Sequence, residues 1–478
     1  MQVVLIKEDK YTYDIHSLYK AFYPTEDVKV ILENDLDKID EVKRLNSEIT
    51  VSDVDVSVSK NELKKSIYLD LSAKTGKSLP WGNLTGIRPT RIVMNLIEEG
   101  KNDEEIVKYM KDTYCVSDEK IALSLKIAHR EKEILKCIDY TNGYSLYLGI
   151  PFCPTTCLYC SFTSYPIGAF SNIVDDYLSC LEKEIDYVAE NFKDKTLDTV
   201  YIGGGTPTTL EPHQLERLIG YLKAKLDFSK VKEFTVESGR PDSITRDKLK
   251  TMKKMGVTRI SVNPQTMRDE TLKLIGRRHT VSQLIDAYNM AREEGFDNIN
   301  MDIILGLPGE GASDVTYTME EIKKLDPDDL TVHSLAIKRG SKLAEIMELA
   351  KHRGNESAMG SFDDKKDILD DIKNTEEMME IALKGASDMG LEPYYLYRQK
   401  NISGNFENTG YARKGKAGIY NILINEEVQS IVALGAGTVT KRVYGYDGRI
   451  ERCDNVKDVK LYMEQIDDMI DRKRKLFS

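Results

Sequence analysis

The sequence predicts an α/β fold: an open, partial (β/α)6 barrel over residues 141–345, preceded by an α/β domain (1–140) and followed by an α+β cap (346–478). Three observations carry this. From about residue 144, short β-branched or apolar runs alternate with Gly/Pro loops and amphipathic helical stretches. Six such units follow one another, and strands separated by helices pair in parallel, because a parallel pair needs a crossover. Six units are too few for a closed eight-stranded barrel, so the barrel stays open, with its working face at the C-terminal strand ends.

The first segment lacks that rhythm. It mixes strands and helices and ends in the helix EKIALSLKIAHREKEILKCI (119–138). Its conspicuous loop, SLPWGNLTGIRPTR (78–91), holds Trp81, the one tryptophan of the chain. No role for this segment follows from its residues. The barrel strands are SLYLGI (145–150), TVYIG (199–203), EFTVE (233–237), TRISV (258–262), NINMDIIL (298–305) and LTVHSL (330–335). In the first helix between them, Val174, Leu178, Leu181, Ile185, Val188 and Phe192 step by four and three, forming one apolar stripe. Further helices fall near 212–225, 245–255, 281–294 and 313–325. Polar helices (343–352, 363–389) then lead to EPYYLYRQKN, a Gly/Lys-rich loop (410–418) and QSIVALGAGTVTKRVY.

Composition narrows the function. The chain has 478 residues, 41% hydrophobic and 31% charged, which allows a large core and excludes gross disorder. A net charge of −11 is not the basic excess of a general nucleic-acid binder. No apolar run approaches the roughly 18 residues of a membrane span, and the first apolar stretch is too short for a signal peptide. A cytoplasmic setting is expected, where thiols stay reduced. Of the seven cysteines, Cys115, Cys137, Cys180 and Cys453 are scattered and read as small buried apolar residues.

The other three stand together. In GIPFCPTTCLYCSF (149–162), Cys153, Cys157 and Cys160 follow the first barrel strand with the spacing C-x3-C-x2-C. A zinc site or a saturated iron–sulfur cluster takes four ligands. Three thiolates can hold a [4Fe–4S] cluster and leave one iron open, as a catalytic metal requires. The alternative is a zinc site with a fourth ligand, such as a histidine, elsewhere. Further polar groups stand at the strand ends: GGGTPT (203–208) with Gly204, Gly205 and Thr206, then Glu237, Gln265 in SVNPQT, Arg277 in GRRH and Asp302 in NMDIILGLP. Glycines there let a backbone approach a ligand closely. Singly, these read as turns or caps; at the ends of five successive strands, they ring one cavity.

With these motifs, residues 144–345 resemble the radical SAM superfamily, and within it the oxygen-independent coproporphyrinogen III oxidase branch. LYLGIPFC-x3-CLYC, with its aromatic Tyr159, and GGGTPT carry the resemblance. It implies that Cys153, Cys157 and Cys160 hold a [4Fe–4S] cluster whose open iron binds S-adenosylmethionine (SAM). It also implies that an electron from a flavodoxin or ferredoxin-like donor cleaves SAM to a 5′-deoxyadenosyl radical. Gly204, Gly205, Thr206, Glu237, Gln265, Arg277 and Asp302 become the implied cofactor contacts, and Tyr147 the tyrosine beside the cluster. There are departures. Glu-Ser-Gly-Arg-Pro is one residue longer than the family's Glu-x-x-Pro, and Asn263 replaces a glycine. Phe162 and Gly149 stand where the better-studied oxidase has a cysteine and a histidine. PWGNLTGIRPTR, PYYLYRQKN, GNFEN and ALGAG extend the resemblance to the HemZ type of the branch over nearly the whole chain.

The implied activity is oxidative decarboxylation of two coproporphyrinogen III propionates to vinyls in haem biosynthesis, by a protein expected to be monomeric. Four propionates need cationic partners, arginine best of all. Arg240 and Arg398 are the foremost candidates. Lys338, Arg339, Lys400, Arg413, Lys414 and Lys416 are next, with Tyr394, Tyr395 and Tyr397 to stack on pyrroles. One alternative is a haem-binding chaperone on the same scaffold, since haem-carrying relatives also show phenylalanine at the position of Phe162. Those relatives carry a His-Asn-Arg-x-Tyr-Trp stretch, and the nearest segment here, IYNILINEE (419–427), lacks its His and Trp. A radical SAM reaction on another tetrapyrrole is the other alternative.

Overall fold

The computed structural model describes residues 1–24, 26–35, 37–38, 40, 50–86, 88–162, 164–338, 340–352, 372, 374–399, 406–445 and 448–478. They form two compact units: Met1–Arg130 with Leu396–Asn408, and Glu131–Tyr395 with Thr409–Ser478.

In the first unit, β1 (Gln2–Ile6), β2 (Val28–Leu32) and β3 (Thr50–Val54) make a parallel sheet in the order β2-β1-β3. Helices Thr12–Phe22 and Lys60–Thr75 cover it. Ile15, Leu18 and Phe22, with Leu63, Ile67 and Leu71, step by three and four and bury against Val4 and Ile6. A second core cluster forms around Trp81, which is fully buried. Its indole N–H donates to Glu407 Oε2 at 2.7 Å, and Lys120 Nζ donates to Glu407 Oε1 at 2.7 Å. The buried carboxylate is thereby both paired and hydrogen-bonded, as burial of a charge demands.

The second unit contains the barrel. β4 (Gly143–Ile150) leads to a two-stranded parallel ribbon of β5 (Phe152–Cys153) and β6 (Tyr165–Pro166). Then come β7 (Thr196–Gly204), β8 (Glu233–Val236), β9 (Arg259–Ser261), β10 (Ile299–Leu305) and β11 (Asp329–Ser334). β4, β7, β8, β9, β10 and β11 pair in parallel in chain order. These are the six strands read from the sequence, and the partial barrel is present as predicted. Helix Val174–Asn191 buries its predicted stripe. Side-chain caps start the later helices: Thr245 accepts from the Lys248 N–H and Thr280 from the Gln283 N–H.

The expected cap is divided differently. Residues 396–408 belong to the first unit. β12 (Glu392–Tyr397), β13 (Asn408–Ala412), β14 (Ile431–Leu434), β15 (Val439–Tyr444) and β16 (Arg449–Asp454) join the barrel sheet, in the order β12-β13-β11-β10-β9-β8-β7-β4-β14-β15-β16. β14 runs parallel to β4, placing Ala433 beside Tyr147. β13 runs antiparallel to β11, with Ala412 opposite Asp329. The loop after β13 therefore lies at the start of β11, away from the working face. There Arg413 pairs with Asp326, and Lys416 with Asp297 at 2.9 Å.

The C-terminal helix Ile466–Phe477 is fastened by charge. Lys473 Nζ, fully buried, lies 2.6 Å from Glu184 Oε1 and 2.6 Å from Asn455 Oδ1. Tyr462 O–H and the Gly435 N–H donate to Glu184 Oε2 at 2.6 and 2.7 Å. Replacing Lys473 by methionine leaves Glu184 buried without its cation. Such a loss costs about 3–5 kcal/mol, so a corresponding fall in the urea midpoint is expected for Lys473→Met.

Candidate active site

The three cysteines lie on the loop that leaves β4, and the glycine loop after β7 is hydrogen-bonded onto it. The Gly205 N–H donates to Ile150 O at 2.7 Å and the Thr206 N–H to Phe152 O at 2.7 Å. A Cβ on Gly205 would stand 2.6 Å from Phe152 O and 3.1 Å from Cys153 Sγ, so the close approach requires glycine. Gly204 has φ +106°, outside the range of L side chains. Thr206 Oγ1–H donates to Cys153 Sγ at 3.4 Å. Burial pushes the Cys153 thiol up to about 11 and raises that of Cys160 as well. Cys153, Cys157 and Cys160 line one cavity together with Gly204, Gly205, Thr206, Glu237, Arg277 and Asp302. Among the described residues, no three His, Cys, Asp or Glu side chains close around a single metal ion.

Arg240 has a different task from the expected one. It is buried beneath the cysteine loop, and its donors are all engaged. Nε and Nη2 grip Asp242 at 2.9 and 2.7 Å, Nη2 also donates to Thr155 Oγ1 at 3.0 Å, and Nη1 reaches Thr155 O at 3.1 Å and Cys157 Sγ at 3.7 Å. A guanidinium has five N–H groups, and these contacts use them all. Arg240 therefore fixes the loop and has no donor left for a propionate.

Carboxylates face the thiols across the cavity. Burial, with Asp302 nearby, pushes Glu237 up to about 7, against the hydrogen bonds from Tyr201 O–H at 2.6 Å and the Gly204 N–H at 3.3 Å. Burial also pushes Asp302 upward, but His333, Asn300 and Thr331 outweigh it and hold the carboxyl below its usual value. Asn263 Nδ2 and Asn300 Nδ2 donate to Asp302 at 2.7 and 2.8 Å. Arg277 Nη1 donates to Gly239 O and Asn263 O at 3.1 and 2.8 Å. Among the described residues, Arg277 Nε and Asn263 Oδ1 are buried without a partner. A buried polar atom left unsatisfied is costly, and these two sit on groups lining the cavity.

Tyr147 lies on β4, its ring stacked 6.0 Å from Tyr201 and 6.1 Å from Tyr420, which stack on each other at 4.5 Å. Gln265 is buried and bridges to β10 through its backbone at φ +66°; Asn263 lines the cavity and Gln265 does not. Arg398 lies in the first unit, where Nη1 donates to Leu84 O at 2.7 Å and the guanidinium stands 5.8 Å from the Trp81 ring. Its burial is accounted for by that core, a correction to the expected substrate grip. Tyr394 and Tyr395 are also buried, donating to Asp329 at 2.8 Å and Thr331 at 3.4 Å. Arg339 and Lys400 lie outside the described residues. Sequence reasoning missed Tyr201, Tyr420, Asp242 and Thr155. Only the inward phase of Tyr201 on its strand offered a signal.

Residues 147–322 match the model of the radical SAM superfamily. The oxygen-independent coproporphyrinogen-III oxidase-like protein HemZ of Bacillus subtilis is 40% identical over 414 residues, covering 86% of this chain and 79% of that protein. The heme chaperone HemW of Bacillus subtilis is 31% identical, covering 67% of this chain and 76% of its own. The structure of coproporphyrinogen III oxidase (HemN) from Escherichia coli superposes with a TM-score of 0.51 at 22% identity, covering 71% and 73% of the two chains. The chain belongs to the radical SAM superfamily, in the family that unites oxygen-independent coproporphyrinogen-III oxidase-like proteins with heme chaperones. The cofactors of this superfamily are a [4Fe–4S] cluster and SAM, and the three thiols and the unpartnered polar atoms suit them. Cys157→Ser is expected to abolish the iron–sulfur absorbance after reconstitution with iron and sulfide, while far-UV circular dichroism stays unchanged. Gly205→Ala is expected to retain less than half of the wild-type iron, because the added methyl displaces Cys153.

Proposed function

We propose that this radical SAM protein converts two propionates of coproporphyrinogen III to vinyls in the cytoplasm, without oxygen. The observation that carries the reading is the extent of the likeness to the coproporphyrinogen-III oxidase-like relative, which runs over most of both chains. Cys153, Cys157 and Cys160 would hold the cluster, and Gly204, Gly205, Thr206, Glu237, Asn263, Arg277 and Asp302 the SAM. When bound, the two supply a 5′-deoxyadenosyl radical able to take a hydrogen atom from a propionate.

The chain's own residues prepare that chemistry. Glu237 and Asp302 offer negative charge to the cationic groups of SAM, in a cavity where burial strengthens the attraction. Tyr147, Tyr201 and Tyr420 fill the barrel interior beside Glu237, and water is kept from that side. Phe162, 67% exposed, lines the cavity, with Lys338 Nζ 5.5 Å from its ring. These two suit a pyrrole face and a propionate respectively.

The likeness to the heme chaperone supports a second reading, in which the same rim holds haem without turnover. One experiment separates them. The protein is reconstituted without oxygen, reduced, and given SAM and coproporphyrinogen III. 5′-Deoxyadenosine and protoporphyrinogen in a ratio near two to one support the decarboxylase. A verified cluster that yields neither product, together with tight haem binding, would replace it with the chaperone. Glu237 adds a pH signature. Its carboxyl takes up a proton as pH falls through about 7, so SAM affinity should fall about tenfold between pH 8 and pH 6. Glu237→Gln should bind SAM weakly at both pH values, with that dependence gone, as read by calorimetry.

A further inference from the structure

A second cleft, of about 1040 Å³, adjoins the cysteine loop. It is lined by Pro154, Thr155 and Thr156 of that loop and by Lys273, Arg278 and Lys342. The cofactor cavity and this cleft share Thr155 and Arg277 as lining residues. The two spaces thus meet at Thr155 and Arg277.

The charge of the cleft opposes that of the chain. The whole sequence carries −11, yet Lys273, Arg278 and Lys342 are exposed here, and among the described residues no ion pair neutralises them. The single acid of the cleft, Asp269, already accepts the Val281 N–H at 2.8 Å. Uncompensated cations on an acidic protein form a local attractive field for an anionic surface and accelerate its encounter. An open cleft of this size, rimmed by three exposed cations, suits a protein edge bearing carboxylates better than a small apolar ligand.

A radical SAM cluster must be reduced from outside by one electron, and the donor must come close to it. We infer that this cleft is the docking surface for an acidic one-electron carrier protein, which passes its electron through the wall of Thr155 and the cysteine loop. The donor is oxidised by one electron and the cluster reduced by one, from [4Fe–4S]2+ to [4Fe–4S]1+; no bond is made or broken in the step. The inference rests on the cysteine loop being the seat of the cluster and is independent of which tetrapyrrole is the substrate.

The test compares reconstituted wild type with Lys273→Glu/Arg278→Glu/Lys342→Glu. Cluster reduction is followed by loss of visible absorbance and by electron paramagnetic resonance, once with a reduced bacterial flavodoxin and once with dithionite. The triple variant should be reduced by flavodoxin about tenfold more slowly at low salt, with dithionite reduction unaltered. The fall of the flavodoxin rate with ionic strength should be steep in wild type and shallow in the variant. A control reversal at Lys183, Lys230 and Lys250, exposed positions outside the cleft, should leave the flavodoxin rate near that of wild type. Equal flavodoxin rates in wild type and triple variant overturn the inference, as does an equal loss with both reductants or an equal loss in the control. A wild type that forms no cluster would instead sink the reading of the cysteine loop itself.

Discussion

The candidate site depends on β4 being hydrogen-bonded on both edges by strands that run its way, β7 on one side and β14 on the other. Parallel pairing sends the C-terminal ends of all three to the same rim. The cysteine loop leaves from β4 and the glycine loop from β7, so the two meet at once. The Gly205 and Thr206 amides then bond directly to the backbone ahead of Cys153. Continued around the sheet, the same direction delivers Glu237 after β8, Asn263 after β9 and Asp302 within β10 to one space. None of these groups is near another in sequence. The ladder alone makes them neighbours.

A loop that must hold three thiols at fixed spacing cannot be left to its own torsions. Arg240 solves this with a planar fork whose five donors are shared between Asp242, Thr155 and Cys157. Its burial is tolerable because Asp242 neutralises it and every N–H finds an acceptor. Arg277 differs in one respect. Its Nη1 holds the backbones at Gly239 and Asn263 and its Nη2 donates to the Tyr159 hydroxyl, while Nε is left without a partner among the described residues. One arginine is complete without a ligand and the other is not, which separates a structural cation from a binding one better than residue type does.

The barrel was legible in the chain because each strand is a short apolar run and each helix carries its own stripe; both are local patterns. The cysteines, the GGGTPT loop, Glu237 and Asp302, which share one cavity, were legible for a related reason: each stands just past, or within, a recognisable strand, whereas Arg277 follows the helix Asp269–Leu274 and was reached through the family resemblance. What failed was anything set by pairing at a distance. Nothing in Lys414 or its neighbours reveals that β13 runs against β11 and carries them to the far end of the barrel. Arg398 looks like a rim cation in YLYRQKN, yet its partner is the carbonyl of Leu84, more than three hundred positions earlier. Trp81 and Glu407 are linked across a similar span. Such contacts follow from which segments come together, and no window of sequence contains both members.

The pairing of β14 with β4 has a bearing on synthesis. A chain leaves the ribosome from its N-terminus, so the strand that carries the cysteine loop appears long before the one that covers its second edge. Ser145 and Leu146 wait for Ile431 and Val432, and throughout that interval a row of amides and carbonyls on β4 faces whatever is at hand. An open edge of this kind invites pairing with the wrong strand. The late arrival of β14 also holds Gly435 back from the Glu184 carboxylate that its N–H serves in the finished protein. The edge of the strand that carries the cysteine loop is thereby closed only after every other strand of the barrel has been made.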